Sequence, residues 1–161
     1  MQVLFVRHGE AVDGHRVVSD RDRWLTESGR RTMTEVGAAL TRLGLRYRRM
    51  YTSPLVRAVQ TAEILAATQP GFRAPLAVHP ALSNELGTTA EALAPLDGAG
   101  EEELVVMVSH MPKIGVLTGH LGELASPPSF RTGSAGLVEV ERGRGRLRWM
   151  LDPDTLALQR R

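Results

Sequence analysis

Residues 104–110 read Leu-Val-Val-Met-Val-Ser-His, five apolar residues followed by two polar ones. An uninterrupted apolar run of this length is typical of a strand buried on both faces, as in a parallel sheet. A second run, residues 2–6, has the same character and ends at Arg7 and His8. Because strand-like and helix-like segments alternate along the chain, the pattern predicts a three-layer α/β/α sandwich.

The segments between the apolar runs have helical patterns. Apolar residues at spacings of three and four predict a helix from Thr26, a good N-cap, to about Gly44. A second helix is predicted from Ser53 to about Thr68, with Ser53 as its N-cap and Pro54 in its first turn.

Shorter strands complete the predicted sheet. They are expected at residues 49–52 and 75–79, and alternating residues at 135–141 and 146–151 predict a C-terminal antiparallel hairpin. The expectation is one domain, residues 1–161, with a mostly parallel central sheet and this hairpin at its C-terminal end.

Composition excludes several kinds of chemistry. The 161 residues include no cysteine, which excludes disulfides, thiolate catalysis and cysteine-ligated metal. The N-terminus has no basic, cleavable leader, and no apolar run reaches the ~20 residues of a membrane span. The interpretation is a soluble cytoplasmic protein that acts away from membranes.

Arginine supplies almost all the positive charge of the chain. Lys113 is the only lysine, and the formal net charge is +2. Guanidinium groups grip phosphate with two parallel hydrogen bonds, so an arginine-rich chain is suited to binding anions. The arginines are scattered among carboxylates rather than forming a basic face, which argues against nucleic acid as a partner.

Reactive side chains follow three of the predicted strands. Arg7 and His8 follow the first strand, Ser53 and Arg57 follow the second, and His110 follows the most apolar one. Because ligands bind at the carboxyl ends of parallel strands, two histidines and two arginines are expected to converge there.

This set of residues suits the transfer of a phosphoryl group. Neutral His8 can attack phosphorus and form a phosphohistidine that water then hydrolyses. Arg7 and Arg57 would bind the phosphoryl oxygens, disfavour a cation on His8, and stabilise charge in the transition state. His110 would hydrogen-bond the same group, and Gly9 would let the backbone approach the ligand closely.

Three motifs carry a resemblance to a known family. The residues Arg7-His8-Gly9-Glu10, the segment 53–61 (Ser-Pro-Leu-Val-Arg-Ala-Val-Gln-Thr) and the segment 108–110 (Val-Ser-His) resemble the histidine phosphatase superfamily, whose fold is phosphoglycerate mutase-like. The resemblance implies that His8 is the phosphorylated nucleophile, that Arg7, Arg57 and His110 complete the phosphate pocket, and that no cofactor or metal is needed.

The short chain resembles one branch of that family more narrowly. Residues 23–29, 109–115 and 127–134 are similar to the short bacterial phosphohistidine phosphatases of SixA type. That resemblance implies removal of phosphate from phosphohistidine on a protein partner, such as a phosphotransfer domain. Larger relatives roof the site with an insertion, and the segment 71–103 is too short for a substantial cap.

The general acid is the one catalytic residue of the family pattern that has no clear counterpart in this sequence. Glu85 is the nearest carboxylate that could protonate an alkoxide leaving group, but its register against the family pattern is open. Asp20 and Asp22 lie in the polar loop after the first motif and are interpreted as residues that keep it solvated. His15, His79 and His120 are interpreted as surface or packing residues.

Three alternative functions stay open at this stage. One is a phosphomonoesterase that acts on a small molecule and depends on Glu85. A second is a non-catalytic module that binds phosphoproteins on the same fold. A third is a metalloenzyme with His8 and His110 as ligands, which the flanking arginines disfavour because they would repel a cation.

Overall fold

The computed structural model describes residues 1–160, which form seven strands and four α-helices. The strands are, in chain order, β1 (Gln2–Arg7), β2 (Tyr47–Thr52), β3 (Leu76–Val78), β4 (Leu104–Ser109), β5 (Ala135–Glu141), β6 (Arg144–Leu151) and β7 (Leu158–Arg160). The helices are α1 (Glu27–Arg42), α2 (Val56–Thr68), α3 (Thr89–Leu93) and α4 (Lys113–Leu121).

One sheet contains all seven strands, in the order β3-β2-β4-β1-β5-β6-β7. The first four strands of that order are parallel to one another, and β5, β6 and β7 are joined by antiparallel pairings. The predicted α/β architecture and hairpin are confirmed. Strand β7 is an addition that its three residues were too few to reveal in the sequence.

The two faces of the sheet are covered by different helices. Alternate residues of β1 face opposite sides, so Leu4 and Val6 pack in the core under α1 and α2 while Val3 and Phe5 pack in the core with α3 and α4. All four of these β1 side chains have no exposed surface. The sheet is therefore the middle of three layers.

The predicted helix boundaries are close to those observed, with one difference. Thr26 caps α1, because its Oγ accepts a hydrogen bond from the N–H of Gly29 at 2.9 Å. Ser53 does not cap α2: that helix begins at Val56, and Ser53 Oγ lies 3.4 Å from the N–H of Leu55. The sequence prediction for Ser53 was wrong because its side chain has a stronger partner elsewhere, described below.

The segment between β3 and β4 packs on the sheet. Its helical pieces place Ala81, Leu82, Ala92 and Leu96 in the core shared with α4. Every helix within residues 1–160 is too short or too polar to cross a membrane.

Candidate active site

The first motif lies where β1 leaves the sheet. The N–H of His8 still donates to the carbonyl of Ser109, at 3.1 Å, so His8 and the end of β4 stay together beyond the last strand residue. The carbonyls of Arg7 and His8 both accept from the N–H of Gly133. Gly133 has a φ of +81°, a conformation that favours glycine.

The imidazole of His8 is held in one orientation. Its Nδ1 lies 2.7 Å from the carbonyl oxygen of Gly9. Because a carbonyl can only accept a hydrogen bond, Nδ1 carries the proton in the neutral ring. The lone pair therefore resides on Nε2, which makes that nitrogen the nucleophilic atom.

Burial keeps His8 neutral. The residue is 8% exposed, and desolvation, more than the nearby charges of Arg57 and Arg7, lowers its pKa to about 4. The arginines, expected from the sequence to cause this effect, contribute less than burial does. At ordinary pH the ring is unprotonated and able to attack an electrophile.

Arg7 is fixed by the segment that precedes β5. Its Nη1 donates to the carbonyl of Phe130 at 2.6 Å, and its own N–H donates to the carbonyl of Ser134. The side-chain Nε is buried and has no partner within residues 1–160. Arg7 is thus immobilised with guanidinium N–H groups still unused.

Arg57, Gln60 and Thr61 form one polar stripe on α2. The three residues are spaced i, i+3 and i+4, so they share a helix face. Gln60 accepts from the N–H of Leu25 at 2.8 Å, and Thr61 Oγ accepts from the N–H of Gly9 at 3.1 Å. The second motif therefore anchors the loop that follows the first one.

Asp20 is the partner of Arg57. The carbonyl oxygen of Asp20 accepts from Arg57 Nη1 at 2.7 Å, and its carboxylate accepts from Nη2 at 2.9 Å. Its carboxylate also accepts from Arg23 Nη1 at 3.0 Å. The interpretation of Asp20 as a solvating residue was wrong, because a polar loop residue gives no sequence signal of a partner that lies 37 positions away.

His110 faces His8 across the strand ends. The two ring centroids are 4.9 Å apart, and His110 is 3% exposed. Its Nε2 lies 2.7 Å from Ser53 Oγ, which is the partner that draws Ser53 away from the helix terminus. Burial, with a further contribution from His8, lowers the pKa of His110 to about 3, so the free protein holds this ring neutral.

Unpaired polar atoms are concentrated at this point of the molecule. Four buried side-chain nitrogen or oxygen atoms lack a hydrogen-bond partner within residues 1–160, and three of them belong to Arg7, Arg57 and His110. Buried polar atoms in folded proteins are nearly always paired. Such a cluster is typical of a site that completes its hydrogen bonds with a ligand.

Gly9 and Glu10 shape the loop rather than line the cluster. A Cβ on Gly9 would lie 2.8 Å from Cγ of Met33, so glycine is needed there for packing. The carboxylate of Glu10 accepts from the hydroxyl of Thr26 at 2.7 Å, which ties the motif to the start of α1. The backbone N–H of Gly9 donates to Thr61, and the close backbone approach to a ligand expected at Gly9 stays a prediction.

Glu85 lies in the loop on the other side of the strand ends. It is exposed and forms no hydrogen bond or ion pair with any residue from 1 to 160. Its neighbour Asn84 is fixed, because its amide donates to the carbonyl of Met111, next to His110, at 2.8 Å. Glu85 is therefore outside the cluster but carried by a loop attached to it.

Comparison with known proteins agrees with this geometry. The family and the fold are those of a phosphatase. The chain belongs to the histidine phosphatase superfamily (branch 1), whose family model matches residues 3–88. Within residues 1–160, no group of three or more His, Asp or Glu side chains has the arrangement of a metal site.

Three similar proteins cover nearly the whole chain. An uncharacterized protein of Picosynechococcus is 32% identical over 98% of this chain and 95% of its own length. The phosphohistidine phosphatase SixA of Escherichia coli is 29% identical over 98% of both chains. A solved structure of the protein histidine phosphatase SixA complexed with tungstate superimposes with a TM-score of 0.87, at 28% identity over 98% of this chain and 100% of that one.

Proposed function

We propose that this phosphatase removes the phosphoryl group from phosphohistidine on a protein, through a covalent intermediate on His8. The observation that carries the proposal is the fixed tautomer of His8, with Nε2 unprotonated beside Arg7, Arg57 and His110. A neutral imidazole with this lone pair is a nucleophile toward phosphorus.

The reaction has two balanced steps. In the first, Nε2 of His8 forms a bond to phosphorus, the bond between phosphorus and the substrate's ring nitrogen breaks, and that ring leaves as a neutral imidazole because its other nitrogen carries a proton. In the second, water attacks phosphorus, the bond to Nε2 breaks, and both water protons leave with the inorganic phosphate, which then releases one of them to solvent. His8 returns to its neutral form, so one site performs both displacements.

The surrounding groups stabilise the transferring phosphoryl group. Arg7 and Arg57 retain guanidinium N–H groups for its oxygens, and both are held in place before a ligand arrives. Such preorganised cations stabilise charge that spreads over the oxygens in the transition state. A bound dianion would also raise the pKa of His110, which allows that ring to donate to a phosphoryl oxygen.

The leaving group decides how much the reaction depends on Glu85. An alkoxide leaves poorly without a proton donor, whereas the ring nitrogen of phosphohistidine can be protonated before the bond breaks. Glu85 is exposed and has no hydrogen-bond partner among residues 1–160, and its role as an acid stays a prediction. A phosphoramidate is the substrate class that depends least on such an acid.

The shortness of the segment between β3 and β4 supports a protein substrate. The segment from residue 71 to residue 103 packs its apolar side chains into the core beside α4 and carries no long insertion. A side chain presented by another protein can reach such a site, whereas a small sugar phosphate is better bound in a closed pocket. SixA of Escherichia coli, which this chain resembles over its whole length, is named as a phosphohistidine phosphatase.

The test compares two substrate classes and one matched pair of variants. Purified protein is incubated with a phosphohistidine-bearing phosphotransfer domain and with small phosphate esters, and acid-labile phosphate on His8 is sought by mass spectrometry. We expect His8→Ala to abolish turnover and the labile phosphate, and His120→Ala, an exposed histidine on α4, to retain both.

Either part of the proposal can fail separately. Turnover that survives in His8→Ala would exclude the covalent route. Equal or faster turnover of the small esters, with activity that depends on Glu85, would assign the protein to the phosphomonoesterases of the superfamily. Binding of phosphoprotein without any turnover would support the non-catalytic module.

A further inference from the structure

A charged unit in the loop after the first motif is not explained by the two-arginine pocket. Asp20 bridges Arg57 and Arg23, with its carboxylate 2.9 Å from Nη2 of the first and 3.0 Å from Nη1 of the second. A second hydrogen bond fixes Arg23, because its Nε donates to the carbonyl of Val12 at 2.6 Å. One exposed loop thus presents an immobilised arginine beside the buried one.

The bonds to Asp20 leave both guanidinium groups able to bind a ligand. A guanidinium has five N–H donors. Arg57 gives one from each Nη to Asp20, and Arg23 gives its Nε to Val12 and one Nη1 hydrogen to Asp20. Several N–H donors on each arginine remain available for a ligand, so Asp20 can orient both guanidinium groups without occupying all of their donors.

The charges of this unit suit a phosphoryl dianion. Arg7, Arg57 and Arg23 are permanent cations, Asp20 is an anion, and the two histidines are neutral in the free protein. The cluster therefore has a formal charge of +2, equal and opposite to that of a phosphoryl group. Arg23 lies close enough to His8 for its charge to contribute to the lowered pKa of that ring.

We propose that Arg23 is a third arginine of the phosphoryl-binding site and that Asp20 is a positioning residue that holds Arg23 and Arg57 in register. The proposal rests on the function proposed above, because it describes the same pocket. Asp20 acts through the two guanidinium groups and does not touch the phosphoryl oxygens, which carry the same sign of charge as its carboxylate.

The same contacts allow a competing explanation that the test must separate. A carboxylate beside two arginines can act as an anion that occupies the phosphate site and must leave before a ligand binds. Removing its charge would then tighten anion binding. If Asp20 positions the arginines, its removal weakens binding even though the cluster gains a net positive charge.

The test measures inorganic phosphate binding by calorimetry, together with kcat and KM, in two matched pairs of variants. Arg23→Ala is compared with Arg21→Ala, and Asp20→Asn with Asp22→Asn, because Arg21 and Asp22 are exposed residues of the same loop whose side chains form no hydrogen bond or ion pair within residues 1–160. Each variant is checked by thermal unfolding.

We expect Arg23→Ala to weaken phosphate binding by roughly 10- to 100-fold, the effect of losing a charge-assisted hydrogen bond. Asp20→Asn should weaken it about tenfold and lower kcat, while Arg21→Ala and Asp22→Asn stay within about twofold of the wild type. The double variant Asp20→Asn/Arg23→Ala should lose less than the product of the two single effects, because the residues act as one unit.

Specific outcomes would overturn the inference. Unchanged phosphate binding in Arg23→Ala would remove Arg23 from the site. Tighter binding in Asp20→Asn would make Asp20 a competing anion instead of a positioning residue. A wild-type protein that binds phosphate through Arg23 but releases none from any substrate would overturn the proposed function and leave the third arginine in place.

Discussion

The two halves of the sheet differ in what they contribute to the site. The parallel half, β1 to β4, delivers His8, Ser53 and His110 from the carboxyl ends of three adjacent strands. The antiparallel half, β5 to β7, delivers none of the clustered side chains. Parallel strands all end at one edge, so their following residues meet, whereas antiparallel neighbours send theirs to opposite edges.

The antiparallel half supports the site through the segment that leads into it. Residues 130–134 hold Arg7 by the carbonyl of Phe130 and hold the first motif by the N–H of Gly133. Farther out, its hairpin carries surface ion pairs such as Arg148 with Glu139 at 3.3 Å. The parallel half therefore carries the clustered side chains, and the antiparallel half restrains them.

Among the changes that compare the two halves, the largest effect is expected from an arginine in the parallel half. Arg7→Ala removes a fixed cation from the phosphoryl group, and we expect kcat/KM to fall by about 10²- to 10³-fold. Arg144→Ala, in the hairpin, should change kcat/KM by less than about twofold. Steady-state assays of both variants measure this contrast, and similar losses would remove the distinction between the halves.

The second effect concerns the buried histidines. In an NMR titration of the free protein, His8 should stay neutral until the pH falls to about 4, since burial lowers its pKa from 6.5. Below pH 6.5 the unfolded chain binds a proton at each of the two histidines that the folded chain does not bind, because the pKa of His110 is also lowered, to about 3. The unfolding free energy should therefore decrease from pH 6.5 toward pH 4 by on the order of 3 kcal/mol for each histidine. A His8 transition near 6.5 would contradict this.

Alanine substitutions at two glycines would introduce a steric clash either next to the first motif or in the C-terminal hairpin. A Cβ on Gly29 would lie 2.2 Å from the carbonyl oxygen of Glu10, and one on Gly145 would lie 1.6 Å from that of Leu121. Either alanine should lower the unfolding free energy by about 1–3 kcal/mol, measured by denaturant unfolding.

Only one of these two variants should affect activity in the molecules that stay folded. Gly29→Ala displaces the backbone next to Gly9, whose carbonyl orients His8, so we expect a loss of about tenfold in kcat/KM at a temperature where both variants are folded. Gly145→Ala should keep wild-type activity there. Equal losses in the two variants would show that hairpin strain reaches the site.

The smallest effect is expected at Ser53. Ser53→Ala removes the hydroxyl that lies 2.7 Å from Nε2 of His110, and one neutral hydrogen bond corresponds to a few-fold change in rate. We expect kcat to fall about fivefold with little change in KM. Thr68→Ala, a hydroxyl at the far end of α2, is the matched control and should leave kcat unchanged.

Much of this arrangement is visible in the sequence because it depends on local patterns. The apolar runs at residues 2–6 and 104–108 are strands for the reason the pattern indicates, and the residues that follow them converge as the parallel direction requires. The stripe of Arg57, Gln60 and Thr61 could also have been recognised from its helical spacing. The roles of the four clustered residues and of Glu85 stay predictions for the experiments above.

The hydrogen-bond partners of Ser53, Asp20 and Arg7 could not be predicted from the sequence. Ser53 has the pattern of a helix cap and Asp20 that of a solvated loop residue, yet they bind His110 and Arg57, which are 57 and 37 positions away. Arg7 is fixed by a carbonyl 123 positions distant. Backbone carbonyls and short polar side chains carry no pattern that identifies such a partner.

Short-range patterns are enough to predict the layered fold, the edge of the sheet where the four side chains meet, and their residue types, because periodicity and strand direction are properties of short segments. Tertiary contacts set the tautomer and low pKa of His8, the restraint of Arg7, and the bridge from Asp20 to two arginines. These depend on burial and on contacts between distant segments, and the free energy of such contacts exists only after the chain has closed around them.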